Sequence, residues 1–189
     1  MHRLLRPLTV TAVAALVLTG MPAHADQCDY LTAAGWVNTT ANQTHSPAKA
    51  SFDLAGGCKD GSPTWGYLNY IDHGNALHLI WTSITAYLSL GEVAIDPKTG
   101  ELVGTRIICG TAATNLFGDV DFGVLAHDAG EPGLNDVFMI RLRKEGVTVY
   151  TTEGPRENFT LGGPKKGGGN VQLYKSTSGA FGGSCPAFF

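Results

Sequence analysis

Phe138-Met139-Ile140-Arg141-Leu142-Arg143 alternates apolar and polar side chains without a break. Successive side chains of an extended chain point to opposite faces, so this stretch carries one greasy face and one wet face, as a half-buried strand does. Upstream, Val120, Phe122, Val124 and Ala126 keep the same period. Downstream, Val147 with Val149 and Val171 with Leu173 continue it, and Ala50, Phe52 and Leu54 form an earlier instance. Each run is short and bounded by turn residues, as strands are.

The longest candidate runs from Ala76 to Leu88, with Leu77, Leu79 and Trp81 on one phase and Ile84, Ala86 and Leu88 on the other. A phase slip near Thr82 predicts a bulge or bend within a strand. Turn chemistry fills the gaps: Lys59-Asp60-Gly61, Asp72-His73-Gly74-Asn75, Asp96-Pro97-Lys98-Thr99-Gly100, Asp128-Ala129-Gly130 and Lys144-Glu145-Gly146. Asp, Asn and Gly tolerate the backbone angles that tight turns need. With 25 Gly and 9 Pro there is little room for long helices. Gly162 to Gly169 reads as a loop before the last strand. The fold class expected is all-β: an antiparallel sandwich or partly closed barrel, built as a single domain stapled by disulfides.

At the amino end, Arg3 and Arg6 precede an apolar run from Leu8 to Leu18 and the small-residue box Ala23-His24-Ala25. That order predicts a signal peptide over residues 1–25 and a secreted domain over 26–189. The run is shorter than the ~20 residues that span a bilayer, so no membrane insertion is expected after its removal. Asp26 and Gln27 separate the box from Cys28, which argues against a lipid anchor. Of the 13 basic residues two leave with the leader, while all 16 acidic ones stay. The resulting acidic balance argues against nucleic acid as a partner. Cys28, Cys58, Cys109 and Cys185 remain, and an even number of cysteines in an exported chain reads as two disulfides. Of the three pairings, Cys28–Cys185 with Cys58–Cys109 is favoured here, because a bridge near both ends closes the longest loop and removes the most unfolded-state entropy.

From Gly35 to Lys175 the chain resembles the post-COAP domain, a β-module of bacterial secreted and surface proteins related to modules that accompany HYR repeats. The resemblance rests on Gly35-Trp36, Cys58-Lys59-Asp60-Gly61, Ala76-Leu77-His78-Leu79 and Phe117-Gly118-Asp119-Val120. It rests above all on the run Asp128-Ala129-Gly130-Glu131-Pro132-Gly133-Leu134-Asn135-Asp136, with Gly168-Gly169-Asn170-Val171-Gln172-Leu173 closing it. It implies a sandwich-like module of bacterial origin with no catalytic residues to carry across.

Ser46-Pro47-Ala48-Lys49, Tyr67-Leu68-Asn69 and Lys98-Thr99-Gly100 imitate the motif order of a penicillin-binding enzyme. That chemistry needs the serine at the start of a helix, whereas Pro47 leads into an alternating strand, so the match reads as chance. Asp128, Glu131, Asn135 and Asp136 crowd one loop and could hold calcium, but the simpler reading is a turn capped by its own side chains. No cofactor is otherwise expected. His45, His73, His78 and His127 would need to gather with a carboxylate to do chemistry. His73 and His78 flank a turn and could meet across a hairpin.

Trp65, Tyr67 and Asn69 share one phase of a strand and form a candidate ligand face, with Leu68 and Tyr70 on the other side. Phase alone leaves open whether that face is solvent or the inside of a sandwich. The reading is a binding or structural module at or outside the cell surface, with carbohydrate or protein as the partner; the alternative is a secreted hydrolase with dispersed catalytic residues.

Overall fold

The computed structural model describes residues 28–39, 48–153, 159–175 and 178–186. The expected leader lies outside these residues. The strands are β1 (Tyr30–Thr39), β2 (Ala48–Gly57), β3 (Trp65–Asp72), β4 (Leu77–Ile95) and β5 (Leu102–Thr114). They continue as β6 (Gly118–Asp128), β7 (Val137–Lys144), β8 (Val147–Thr151), β9 (Gly169–Tyr174) and the short β10 (Gly182–Gly183). All pair antiparallel along the path β8-β7-β6-β5-β4-β3-β2-β1-β9, with β10 added beside β4. The sheet is not closed into a barrel.

Strand β4 makes the fold by belonging to both halves. Its start pairs with β3 at Leu77 and His78, and the rest pairs with β5 from Leu79 to Ile95. Register shifts at Leu79/Trp81 and Ile84/Ala86 bracket the phase slip foreseen near Thr82, because an unpaired residue turns every later side chain to the other face. The bend lays the β9-β1-β2-β3 half against the β4-to-β8 half. Phe52 of β2 stacks on Phe138 of β7 with ring centroids 3.7 Å apart, and Leu31, Leu54, Leu68, Ile108, Phe122 and Ile140 are buried around them. The alternating residues of β7 and β6 point into this core as their pattern demands.

Polar clasps join the halves where the core ends. Asp29, just before β1, takes a bidentate pair from Arg106 of β5, and the Tyr87 hydroxyl donates to Asp29 Oδ1 at 2.6 Å. Burial works against the Arg106 charge, but the hydrogen bonds and charge of Asp29 outweigh it and hold the guanidinium above its ordinary range. Burial pushes the Tyr87 phenol well up. At the other end Asp72 of β3 accepts from Thr39 Oγ1 at 3.2 Å and from the Tyr150 hydroxyl of β8 at 2.8 Å.

The disulfides are Cys28–Cys58 and Cys109–Cys185, which corrects the pairing favoured from loop length. Strand register decides instead. In the β1–β2 pair Tyr30 faces Gly57, so Cys28 and Cys58 are brought together just beyond it, with Cα atoms 5.8 Å apart. Ala86 faces Cys109 across β4–β5, and β10 lies on Ala86, which delivers Cys185 to Cys109. On the loop-entropy account the bridges, spanning 30 and 76 residues, stabilise by about 3.5 and about 4.5 kcal/mol. Two disulfides fit an oxidising compartment. Among the described residues no helix is long and apolar enough to cross a membrane.

The loop from Gly162 to Gly169 contains a 3-10 turn at Gly163–Lys165, and β9 is followed by β10 rather than ending the fold. Val147, grouped with Val149 as apolar and inward, is 66% exposed at the mouth of the β7–β8 turn.

Candidate functional site

Leu68 and Tyr70 are buried in the core, so the opposite phase of β3, carrying Trp65, Tyr67 and Asn69, faces outward. Tyr67 is 42% exposed. Gly66 lets this strand lie close to β2, since a Cβ there would sit 2.1 Å from the carbonyl oxygen of Ala55. Register then sets which residues join the three. Tyr67 lies across from Ala55, which faces Thr32 of β1, which faces Gln172 of β9; Asn69 leads likewise through Asp53 and Ala34 to Asn170. Beyond Trp65, Tyr30 of β1 meets it edge-on at 6.0 Å and stacks on Tyr174 of β9 at 4.9 Å.

Small residues in the middle and large ones at the margins leave a shallow groove of about 300 Å³ lined by Thr32, Ala34, Asp53, Tyr67, Asn170 and Gln172, among others. The Tyr67 hydroxyl donates to both oxygens of Asp53, at 3.1 and 3.0 Å. Burial, then Asp53, raises the Tyr67 phenol above its ordinary range, so it stays a donor. The face ends in a lysine at either side. Lys59 lies 5.0 Å from the Trp65 ring, and Lys49 lies 4.0 Å from the ring of Trp36.

Asp128, Glu131, Asn135 and Asp136 are differently engaged. Asp128 accepts from the backbone N–H of Gly130 at 2.8 Å and of Leu173 at 2.9 Å. Asp136 accepts from Ala129 at 2.9 Å and Val171 at 2.6 Å. Both are buried, and their oxygens supply the pairing that β9 lacks on the side away from β1. Burial pushes Asp136 up to about 6 and raises Asp128. Glu131 holds the Asn170 amide at 3.0 Å, and Asn135 accepts from Lys166 Nζ at 2.7 Å. The four residues thus close the sheet edge, and among the described residues no group of three or more His, Cys, Asp or Glu is placed to hold a metal ion.

The histidines do not gather. His73 Nε2 lies 2.9 Å from Ser51 Oγ on the outer face, instead of meeting His78, while His127 Nδ1 lies 2.9 Å from Thr105 Oγ1. His45 falls outside the described residues. Asp72, although next to His73 in sequence, is turned into the core, so no Asp-His-Ser relay forms from them. Ser46 and Pro47 lie outside the described residues; Lys98 and Thr99 sit in the β4–β5 turn, held by Asp96, away from any helix.

Two other surface depressions are larger. One, of about 410 Å³, is lined by Asp119, Asp121, Arg143, Lys144 and Glu145, whose opposite charges are mixed, and it holds no aromatic ring. The other, about 400 Å³ beside β8, has its tyrosine, Tyr150, committed to Asp72 in the core. Residues that sequence reading missed, Tyr30, Tyr174, Asp53, Asn170 and Gln172, come from three other strands, and only register reveals them.

No family model matches the chain, and neither a curated protein nor a solved structure matches it.

Proposed function

We propose that the chain is an exported binding module that holds a glycan against the outer face of the β9-β1-β2-β3 half. The observation that carries this reading is the exposed Tyr67 beside Asp53, flanked by Trp65 with Tyr30 and Tyr174 and by the amides of β9. A pyranose offers an apolar C–H face and a rim of hydroxyls. Aromatic faces cover the first and fixed polar side chains satisfy the second. From Trp65 to Ile71 the face runs ~20 Å along the strands, long enough for a short oligosaccharide. The paired disulfides and the leader-like start of the sequence support export.

The test is affinity electrophoresis of the chain through gels containing soluble polysaccharides. Retardation by at least one of them, lost about tenfold or more in Tyr67→Ala and Trp65→Ala, is expected. Equal retardation of both variants and the wild type, or none for the wild type in any gel, overturns the reading; retention on a protein array instead would point to a protein ligand. A hydrolytic reading rests on the Ser51–His73 contact alone. Release of reducing ends, abolished in Ser51→Ala, is the result that would favour it.

A further inference from the structure

The groove beside Tyr67 has one charged acceptor, Asp53, and each of its two amides has an N–H tied to a glutamate. Gln172 Nε2 donates to Glu101 Oε1 at 3.4 Å, and Asn170 Nδ2 donates to Glu131 Oε1 at 3.0 Å. An ionised carboxylate only accepts, so these contacts fix which end of each amide is nitrogen. The Tyr174 hydroxyl gives its proton to Gln172 Oε1 at 2.8 Å, and the Tyr67 hydroxyl gives its own to Asp53. Asn170 Oδ1 has no hydrogen-bond partner but is buried against the Gly133 turn, closed to a ligand in the groove. Asp53 is the one ionisable acid among the residues lining the groove, is exposed, and has lone pairs left after accepting from Tyr67. Lys49 and Lys59 are held over rings at the two ends of the face.

A site whose open charged acceptor is a carboxylate complements a ligand that brings charged donors. Resting on the glycan reading above, we propose that the groove selects sugars bearing a free, protonated amino group, an unacetylated hexosamine, with Asp53 as the partner of the ammonium. Charge-assisted N–H···O⁻ bonds are the strong ones, and Tyr67 both orients the carboxylate and stacks on the ring that carries the amine. An acetyl cap removes the charge and adds bulk beside Asp53. A uronic acid or sulfated sugar meets Asp53 with like charge.

The experiment measures equilibrium binding of the full chain to three probes of equal length at mildly acidic pH: a glucosamine oligomer, its N-acetylated counterpart and a neutral glucose oligomer. The glucosamine oligomer is expected to bind about tenfold or more tightly than the other two. Asp53→Asn is expected to abolish that preference and Asp53→Glu to keep part of it, with urea midpoints unchanged in both, which separates charge recognition from misfolding. Equal binding of all three sinks the inference and leaves the glycan reading standing. A preference that survives in Asp53→Asn shows general attraction to an acidic protein and also sinks it. Binding of none sinks the inference too, while the glycan reading falls only if no polysaccharide gel retards the chain.

Discussion

The Asp53 groove and the Asp128–Asp136 loop set carboxylates on two sides of the same strand, to opposite ends. Along β9 the side chains of Asn170 and Gln172 line the groove, while the N–H groups of Val171 and Leu173 are taken by Asp136 and Asp128. Each oxygen of the two loop acids accepts a backbone N–H in a buried place, so these carboxylates are structure. Asp53 accepts a single phenol and stays open to solvent. Acidity is common to both; of Asp53, Asp128 and Asp136, Asp53 alone has unused accepting capacity at an accessible place.

The largest expected effect lies on the structural side of that contrast. Asp29→Ala strands the buried Arg106 charge and is expected to cost about 3 to 5 kcal/mol, read as a lower urea midpoint. Asp136→Ala leaves two buried N–H groups unpaired and should cost about 2 to 4 kcal/mol by the same measurement. If either is as mild as a surface change, the loop and clasp acids do not differ from Asp53. Asp53→Ala is expected to change stability by no more than ~0.5 kcal/mol while weakening ligand capture.

A pH series sharpens the comparison. Asp136 is pushed up to about 6 by burial from an ordinary 3.8, so between those values the folded state binds a proton that the unfolded state has released. The stability that this proton uptake adds is therefore complete below about 4, declines as pH rises, and is lost above about 6. Melting curves of the wild type minus those of Asp136→Asn should show that decline, and a flat difference would refute it. The smallest effect is no effect: melting with EDTA and with added calcium should coincide, because the oxygens of Asp128 and Asp136 are occupied by backbone N–H groups. A calcium-dependent rise would return the loop to the candidate sites.

How much could be read beforehand follows the same divide between pattern and register. Runs such as Phe138-Ile140-Leu142 reveal their strands because alternation is local. The slip near Thr82 was equally visible. Strand β5 was harder, since Arg106 stands where the inward phase calls for an apolar side chain, and its reason, Asp29, lies 77 residues away. In β1 the inward phase passes through Gly35 between Ala33 and Val37, which thins the signal. Trp65, Tyr67 and Asn69 were grouped correctly, but their exposure depended on what covered the other face. The disulfide pairing failed for the same cause: loop entropy ranks closures, whereas register chooses which cysteines can touch.

The bridge from Cys109 to Cys185 also imposes an order on assembly. A chain made from its amino end presents Cys28 and Cys58 early, and their hairpin can be locked while later strands are still being delivered. Cys109 must wait for a partner 76 residues further on, after β6 to β9 have been laid down. A nascent molecule that stops short carries one unmatched thiol in the middle of its sheet, a chemical mark of incompleteness that the finished molecule lacks.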